Sequence, residues 1–309
     1  MRILVTGGAG FIGSHVAEAF ARAGHEVMAL DNLARGKRAN LPAGVRLCEA
    51  DLRDADALDR AFADFRPEVV DHHAAQVSVR DSVADPLFDA EVNVLGGLKL
   101  LLACRKHGVN RFLFASTGGA IYGEQDVFPA PEDHPARPLS PYAIGKLACE
   151  KYLIFFEQTY GLKWTALRYS NVYGPRQDPN GEAGVVAIFC RSMIAGHDPL
   201  INGDGGQTRD YVYAGDVARA NLLALEKDVT GPVNIATGIE TDVNAVFRAL
   251  RGQINPAINE VHGPQKPGEQ RRSVLDPTLA QKAMGWAPEV PLVDGLKKTV
   301  EFFRAEAKK

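Results

Sequence analysis

The sequence predicts an α/β protein: a doubly wound parallel sheet followed by a smaller C-terminal lobe. Over roughly the first 170 residues, short apolar runs typical of strands buried on both faces alternate with longer segments of helical periodicity. The first apolar run, residues 2–6, ends in glycines that open a helical segment. After residue 172 the alternation decays into short elements rich in glycine and proline, which indicates a second lobe.

The glycines after the first strand predict a dinucleotide site. They fit G-x-x-G-x-x-G (Gly7, Gly10, Gly13) and also G-x-G-x-x-G beginning at Gly8. Missing side chains let the backbone approach a pyrophosphate at a helix N-terminus, where free N–H groups and the helix dipole favour an anion. A glycine turn without a ligand is the plainer alternative, but the position between strand and helix favours a Rossmann-type site.

Asp31 follows the second predicted strand, residues 25–30, and lies roughly 20 residues after the glycines. A carboxylate at this place hydrogen-bonds the ribose 2′-hydroxyl and would repel a 2′-phosphate, so the sequence favours NAD over NADP. Arg35 and Lys37 lie nearby and keep NADP open as the alternative. Taken alone, Asp31 could also be a turn or helix cap.

The remaining elements follow in order along the chain. Strands are predicted over 45–50, 68–71, 111–115, 164–169 and 233–236, and helices over 54–65, 85–107, 141–160, 215–226 and 291–307. The long helix over 85–107 is predicted to bury Leu95, Leu98 and Leu102. The predicted domains are residues 1–172 with 210–237 returning to the sheet, a lobe made of 173–209 and 238–290, and a C-terminal helix over 291–309.

Composition excludes several functions. A net charge of −3 gives no reason to expect nucleic acid or an anionic membrane as a partner, and no apolar run reaches the length of a bilayer span. The scattered cysteines, without C-x-x-C, indicate a reducing compartment, so a cytoplasmic location is predicted. His72 and His73 are adjacent, but no third ligand stands at a metal-like spacing, so no metal site is expected.

A tyrosine and a lysine form the candidate catalytic pair. Tyr142 and Lys146 are four residues apart on a helix that opens at Ser140 or Pro141, so they share one face. A lysine ammonium beside a tyrosine favours the phenolate and is expected to lower its pKa from about 10 toward the working range. By itself Y-x-x-x-K is weak evidence, because a half-buried tyrosine often lies beside a solvated lysine.

Other polar residues indicate a second ligand. Thr117 follows the strand over 111–115, at the edge where open α/β sheets bind ligands, although a capping hydroxyl is the plainer interpretation. The second lobe carries arginines among glycines in irregular segments, which are suited to gripping a phosphate and otherwise are surface charge. These are Arg176, Arg191, Arg209, Arg271 and Arg272.

As a set, these residues resemble the extended short-chain dehydrogenase/reductases that act on nucleotide sugars. Within this NAD-dependent epimerase/dehydratase family, the chain is most similar to the UDP-glucose (UDP-galactose) 4-epimerases. The resemblance covers nearly the whole chain. It is carried by residues 6–15, 31–33, 73–76, 93–97, 116–117, 142 with 146, 168–176 and 207–212.

The resemblance implies a role for each matching residue. Tyr142 would be the base, Lys146 would hold the nicotinamide ribose and lower the Tyr142 pKa, and Thr117 would bond the sugar 4-oxygen. NAD would be held by Tyr142 and Lys146, and also by Gly7, Gly10, Phe11, Ile12, Gly13, Asp31, Asn32, Asp51, Leu52, His73, Ala74, Ala75 and Asn93. The substrate diphosphate would be held by Asn171, Arg209 and Arg271, with Arg272 as the alternative to Arg271.

Local differences within the family narrow the reaction. The 4,6-dehydratases carry an Asp-Glu acid/base pair directly after the active-site threonine and the decarboxylases carry a Glu in that segment, whereas this chain has Gly118 and Gly119. The leading interpretation is therefore NAD-dependent 4-epimerisation of a UDP-hexose through a transient 4-keto sugar. The small Ser273 at the expected gate of the sugar pocket extends this to N-acetylhexosamine forms.

Two alternatives to the epimerase stay open. One is another nucleotide-sugar enzyme of the same fold: a dehydratase, a reductase, or a uronate epimerase or decarboxylase. The other, from a different class, is a non-catalytic NAD-sensing regulatory protein. The resemblance also implies a homodimer formed through the helices near 85–107 and 141–160, where Leu101, Phe155 and Phe156 could pair, although helix packing on the sheet would use similar residues.

Overall fold

The computed structural model describes residues 1–181, 184–266 and 270–308. Its strands, in chain order, are β1 (Arg2–Thr6), β2 (Glu26–Asp31), β3 (Arg46–Glu49), β4 (Val69–His72), β5 (Arg111–Thr117), β6 (Lys163–Tyr169), β7 (Asn171–Tyr173), β8 (Leu200–Asn202), β9 (Thr208–Tyr213), β10 (Gly231–Ile235), β11 (Glu240–Asp242) and β12 (Val261–Gly263).

The helices surround these strands. In chain order they are α1 (Phe11–Arg22), α2 (Ala55–Phe65), α3 (Val79–Ala84), α4 (Pro86–Ala90), α5 (Gly97–His107), α6 (Gly118–Ile121), α7 (Pro141–Tyr160), α8 (Val185–Ile194), α9 (Ala214–Glu226), α10 (Val243–Ile254), α11 (Thr278–Met284) and α12 (Leu292–Glu306). A 3₁₀ turn covers Arg38–Asn40, and a π-helix covers Glu91–Gly96 between α4 and α5.

The main sheet has the order β10-β6-β5-β4-β1-β2-β3, and its neighbouring strands run parallel. The chain leaves β1 for β2 on one side and later returns to β4 on the other side, so the strand order reverses between β1 and β4. A crevice at the carboxyl ends of such strands is where open α/β sheets bind ligands. This topology confirms the predicted doubly wound, Rossmann-type fold.

Apolar side chains fill both faces of the sheet. One face packs on α1 and α9 through a core that includes Val16, Phe20 and Val217, and the other packs on α2, α5 and α7. A third core, which includes Tyr173, Phe247 and Leu296, joins α8, α10 and α12 to β9. This third core supports the predicted smaller lobe, while the division into domains stays a prediction.

The predicted helix over 85–107 is present, because α4, the π-helix over Glu91–Gly96 and α5 follow one another without a break from Pro86 to His107. Asp85 caps its start, but the prediction of its buried face is wrong in part. A π turn holds more residues than an α turn, so it rotates the side chains that follow. As a result Leu95 and Leu102 are each 51% exposed rather than buried. The buried positions of α5 include Leu100, Leu101 and Cys104.

Short strands complete the smaller lobe. β9 pairs with β7 in parallel and with β11 antiparallel, which places Arg209 opposite Thr241. β8 and β12 form a separate parallel pair. None of the helices within the described ranges combines the length and the apolarity that crossing a bilayer requires.

Candidate active site

A cleft runs along the carboxyl ends of the sheet strands, from the glycine turn after β1 to the smaller lobe. Its lining brings together residues predicted from distant parts of the sequence. They are Gly7, Gly10, Phe11, Ile12, Gly13, Asp31, Asn32, Asp51, Leu52, His73, Ala74, Ala75, Thr117, Tyr142, Lys146, Asn171 and Arg209. Asn93, Arg271, Arg272 and Ser273 are placed differently, as described below.

The glycine turn is shaped by close backbone contacts. A Cβ atom on Gly13 would lie 2.2 Å from the Gly7 carbonyl oxygen, and one on Gly7, whose φ is +65°, would lie 2.6 Å from the Ala74 nitrogen. Only residues without a side chain fit these two positions. Gly10 opens α1, and no side chain caps this helix. The N-terminus of α1 is therefore available to an anion such as a pyrophosphate.

Asp31 lines the cleft next to the glycine turn. Its carboxylate accepts backbone N–H bonds from Ala9 at 3.0 Å and Leu33 at 2.8 Å. Each oxygen keeps a further lone pair for a ribose hydroxyl. Together with the uncapped α1, this arrangement fits NAD.

The residues around Asp31 lie in the part of the cleft where the adenosine is predicted to bind. Asn32 donates to Asp51 at 2.9 Å. The Arg53 guanidinium bonds the Asp51 carboxylate and holds the pKa of Asp51 well below its usual range. Arg35, one of the two basic residues that kept NADP open, pairs with Asp81 at the surface.

The two adjacent histidines face opposite sides of the sheet. His72 is buried, lies 2.7 Å from the Thr6 hydroxyl, and has a pKa held well below its usual value by burial and then by Lys146. His73 lines the cleft, stacks on Tyr169 and lies 2.9 Å from the buried Asp71 carboxylate. Among the described residues, no group of three or more His, Cys, Asp or Glu side chains is arranged to hold a metal ion.

Asn93 acts on the cleft through another segment. Its side chain accepts from the Gln76 backbone N–H at 2.9 Å and donates to the Gln76 carbonyl at 3.0 Å. These bonds fix the loop after β4, which carries His73, Ala74 and Ala75. Asn93 does not line the cleft itself, so its predicted role in cofactor binding would be exerted through this loop.

Tyr142 and Lys146 lie one turn apart on α7. Ser140 caps this helix by accepting from the Ala143 N–H at 3.2 Å, and Pro141 occupies its first position. The Lys146 ammonium donates to the Ala115 carbonyl at 2.8 Å and lies 5.9 Å from the centre of the Tyr142 ring. Both side chains line the cleft, as the spacing predicts.

The predicted lowering of the Tyr142 pKa is wrong for the protein alone. Burial, and then the negative charge of Asp89, raise the pKa of Tyr142 to about 12. Burial lowers the pKa of Lys146 to about 8, although the nearby Cys149, Asp89 and Glu150 act to raise it. The sequence shows Lys146 beside Tyr142 but shows neither the desolvation nor Asp89, which the fold brings close.

Three side chains from separate elements converge around Gly119. A Cβ atom placed on Gly119 would lie 3.7 Å from Asn171 Oδ1, 3.9 Å from Ser273 Oγ and 4.0 Å from Thr117 Oγ1. Ser273 therefore lies close to Thr117 and Asn171 but is buried, and its role as the gate of a sugar pocket stays a prediction. The neighbouring residues 267–269, on which its assignment was based, lie outside the described part of the chain.

Two of the predicted arginines are engaged outside the cleft. Arg271 makes a bidentate bond to Asp204, and Arg272 makes one to Glu240 while lying over the Phe128 ring. The structure therefore does not bring Arg271 to the cleft lining. Lys266, which the sequence did not single out, does line it. Its segment has no periodicity or motif that could have identified it.

A buried ion pair behind the cleft also escaped prediction. Glu150, one turn after Lys146, binds Arg168 of β6 through both carboxylate oxygens at 3.0 and 2.6 Å. It also accepts from the Ser116 hydroxyl at 2.6 Å, next to Thr117. These bonds fix α7 against the ends of β5 and β6. The four-residue spacing from Lys146 to Glu150 was the only available signal.

Comparison with known proteins places these features in a family. The sequence profile of the NAD dependent epimerase/dehydratase family matches residues 3–236. The UDP-glucose 4-epimerase of Mycolicibacterium smegmatis is 44% identical over 98% of this chain and 99% of its own length.

Solved structures of this family also match the chain. The Thermotoga maritima UDP-glucose 4-epimerase, solved with UDP-glucose, has a TM-score of 0.97 and 51% identity over 99% of this chain and 100% of its own. The Thermus thermophilus UDP-glucose 4-epimerase, solved with NAD, has a TM-score of 0.93 and 51% identity over 98% of this chain and 99% of its own.

Proposed function

The chain belongs to the NAD dependent epimerase/dehydratase family, and from this membership and its site we propose that it is a UDP-hexose 4-epimerase. It interconverts UDP-glucose and UDP-galactose through a transient 4-keto sugar, with NAD as the cofactor. The relatives described above are named UDP-glucose 4-epimerases and match nearly the whole chain, and the two solved structures contain UDP-glucose and NAD, respectively.

The observation that carries the proposal is the arrangement around Gly119. Thr117 and Asn171 line the cleft there with the buried Ser273 beside them, and the same cleft contains Tyr142 and Lys146. Glycines at 118 and 119 cannot transfer protons, so Tyr142 is the evident proton carrier at the sugar. One base and a reversible oxidation suffice for epimerisation, whereas eliminating a hydroxyl needs a further acid.

Each residue of the site has a separate role in the proposed reaction. NAD, when bound against Gly7, Gly10, Gly13 and Asp31, supplies the reversible oxidation of the sugar at C4. Tyr142 accepts the proton of the 4-hydroxyl and returns it after the sugar has turned its other face. Thr117 bonds the 4-oxygen, and the Lys146 ammonium favours the Tyr142 phenolate during the transfer.

The grip on the substrate must be firm at the diphosphate and loose at the hexose. Asn171 and Arg209 line the cleft and support the first role, and Lys266 adds a third polar group. We assign Arg271 only an indirect part, because Asp204 engages its guanidinium. The absence of a side chain at Gly119 and the small side chain of Ser273 support room for the hexose to turn and acceptance of N-acetylhexosamine forms.

We further propose a homodimer. The described surface of α3, α4, α5 and α7 exposes large apolar side chains, among them Val83, Leu87 at 78%, Leu102 and Phe155 at 48%. Such a contiguous set on neighbouring helices marks an interaction surface. Of the residues predicted for this face, Phe155 fits, whereas Leu101 and Phe156 were wrong choices because both are buried within the chain.

A cytoplasmic location completes the proposal. Cys48, Cys104, Cys149 and Cys190 are all free thiols, which is typical of a reducing compartment.

The test is to incubate the purified protein with UDP-galactose and no added cofactor. Formation of UDP-glucose is the expected result, because NAD should stay bound through turnover. A 4-keto-6-deoxy product would instead indicate a dehydratase. Tight NAD binding without any reaction would indicate a regulatory protein. Either of the last two results overturns the proposal.

A further inference from the structure

Asp89 is a buried carboxylate that the reaction described above does not use. It lies at the end of α4, just before the π-helix, and is 1% exposed. Single-turn π segments inside helices occur frequently at functional sites. A buried acid there is costly unless its charge is bonded or balanced.

Two amides hold one oxygen of this carboxylate. Asp89 Oδ1 accepts from Gln76 Nε2 at 3.0 Å and from Asn93 Nδ2 at 2.9 Å. Burial raises the pKa of Asp89, and these two bonds and the nearby Lys146 act against that rise by stabilising the ionised form. The π-helix supplies Asn93 and the loop after β4 supplies Gln76, so both donors come from elements that border the cleft.

The other oxygen faces the catalytic helix α7. Asp89 Oδ2 would lie 3.6 Å from a Cβ atom on Gly145, and a side chain at Gly145 would also crowd Asn93. Gly145 lies between Tyr142 and Lys146 on the same face of the helix. The absence of a side chain at Gly145 lets the carboxylate approach this pair, and its charge acts on both residues.

We propose that Asp89 is a positioning residue for the reaction: a buried negative charge that keeps Lys146 protonated and sets the pH range in which Tyr142 and Lys146 work. The expected change in the pH profile of turnover rests on the proposed epimerase function. The expected effect of the Asp89 charge on Tyr142 and Lys146 does not. Lys146 is the buried cation that needs such a partner, because burial alone drives a lysine toward its neutral form.

The other titratable groups near the pair do not replace Asp89. His72 of β4 is kept neutral by burial, and burial raises the pKa of the Cys149 thiol to about 11. Glu150 is balanced by Arg168. The charged residues on the helical segments next to Asp89 are exposed and screened by solvent: Arg80, Asp81, Asp85 and Glu91.

Asp89→Asn tests the inference, since it removes the charge and keeps the shape. Without a nearby anion, the pKa of Tyr142 and that of Lys146 both fall. Both limbs of the pH profile of kcat/KM should therefore move to lower pH, by on the order of one pH unit. The matched control is Glu91→Gln, which neutralises an exposed carboxylate two residues away and should move neither limb.

A second readout does not depend on turnover. Tyrosinate absorbance of the holoenzyme is measured at a fixed alkaline pH at which all variants stay folded, and the contribution of Tyr142 is isolated with Tyr142→Phe partners. It should be larger in Asp89→Asn than in the parent. This comparison tests the charge of Asp89 even if the parent does not epimerise UDP-galactose, so the two proposals fail separately.

Three results would overturn the inference: limbs that stay in place while only the amplitude falls, an equal shift in Glu91→Gln, or no gain in tyrosinate. If Asp89→Asn does not fold, Asp89→Ser is smaller and also neutral, and the same shift is required of it.

Discussion

Glu150→Gln removes one charge from the buried ion pair that fixes α7, the helix of Tyr142 and Lys146, to the sheet. The side chains of Glu150 and Arg168 are 4% and 8% exposed, so solvent cannot compensate the loss. Arg168 would keep bonds to the Tyr122 hydroxyl and the Glu132 carbonyl, both at 2.9 Å. Neither partner carries a compensating charge within bonding distance of the guanidinium.

The magnitude follows from this geometry. Removing one partner of a buried pair costs about 3–5 kcal/mol, because an uncompensated charge stays behind. Glutamine keeps one oxygen for the Ser116 hydroxyl, so the lower end, about 3 kcal/mol of unfolding free energy, is expected. The matched control is Asp64→Asn in the Arg46–Asp64 pair, where both side chains are 57% exposed. An exposed pair of this kind should give no measurable change.

The assay is urea unfolding followed by the fluorescence of Trp164 and Trp286, with NAD held at the same saturating concentration in all samples. Trp164 lies on β6, the strand that carries Arg168. A cycle with Arg168→Met and the double variant should give a coupling of about 2 kcal/mol. If Glu150→Gln unfolds at the same urea concentration as Asp64→Asn, the pair does not stabilise the fold as described.

Three further substitutions test the site. Gly13→Ala should abolish NAD retention during purification, because the added Cβ atom meets the Gly7 carbonyl oxygen at 2.2 Å; a variant that keeps its NAD contradicts the close approach. Ser273→Tyr should suppress turnover of UDP-N-acetylglucosamine and spare UDP-glucose, since the tyrosine ring would fill the space around Gly119. Equal loss of turnover with both substrates argues against Ser273 as the gate of the sugar pocket. Tyr142→Phe should leave NAD bound and lower kcat by at least about 100-fold, because no proton carrier remains, and an active variant would remove Tyr142 as the base.

Features of the site that depend on local sequence were predictable. The glycine turn, Asp31 and the Tyr142–Lys146 pair each need only a short motif next to a recognisable strand or helix. Asn171 and Ser273 were assigned through the family resemblance, because no spacing within the chain connects them with Thr117. The structure brings all three side chains to one point near Gly119.

The predictions that were wrong share one physical cause: each depends on contacts between residues that are distant in sequence. The π-helix before α5 coincides with bonds between Asn93 and the distant loop at Gln76, and the apolar pattern of α5 alone does not reveal it. The raised pKa of Tyr142 depends on burial and on Asp89, which is distant in sequence. Arg271 pairs with Asp204 because two loops of the smaller lobe meet, which composition cannot foresee.

The glycines after Thr117 bear on the reaction through packing as well as through chemistry. A Cβ atom on Gly118 would lie 2.3 Å from Leu275 Cδ1, so a side chain there requires Leu275 to move. At Gly119, a side chain would enter the space between Thr117, Asn171 and Ser273, where the proposed reaction requires the hexose to turn. Substituting Asp-Glu into this pair would therefore displace Leu275 and place a carboxylate in this space. Converting this chain into a dehydratase requires repacking around Leu275, which supports epimerisation as the reaction that the present cleft accommodates.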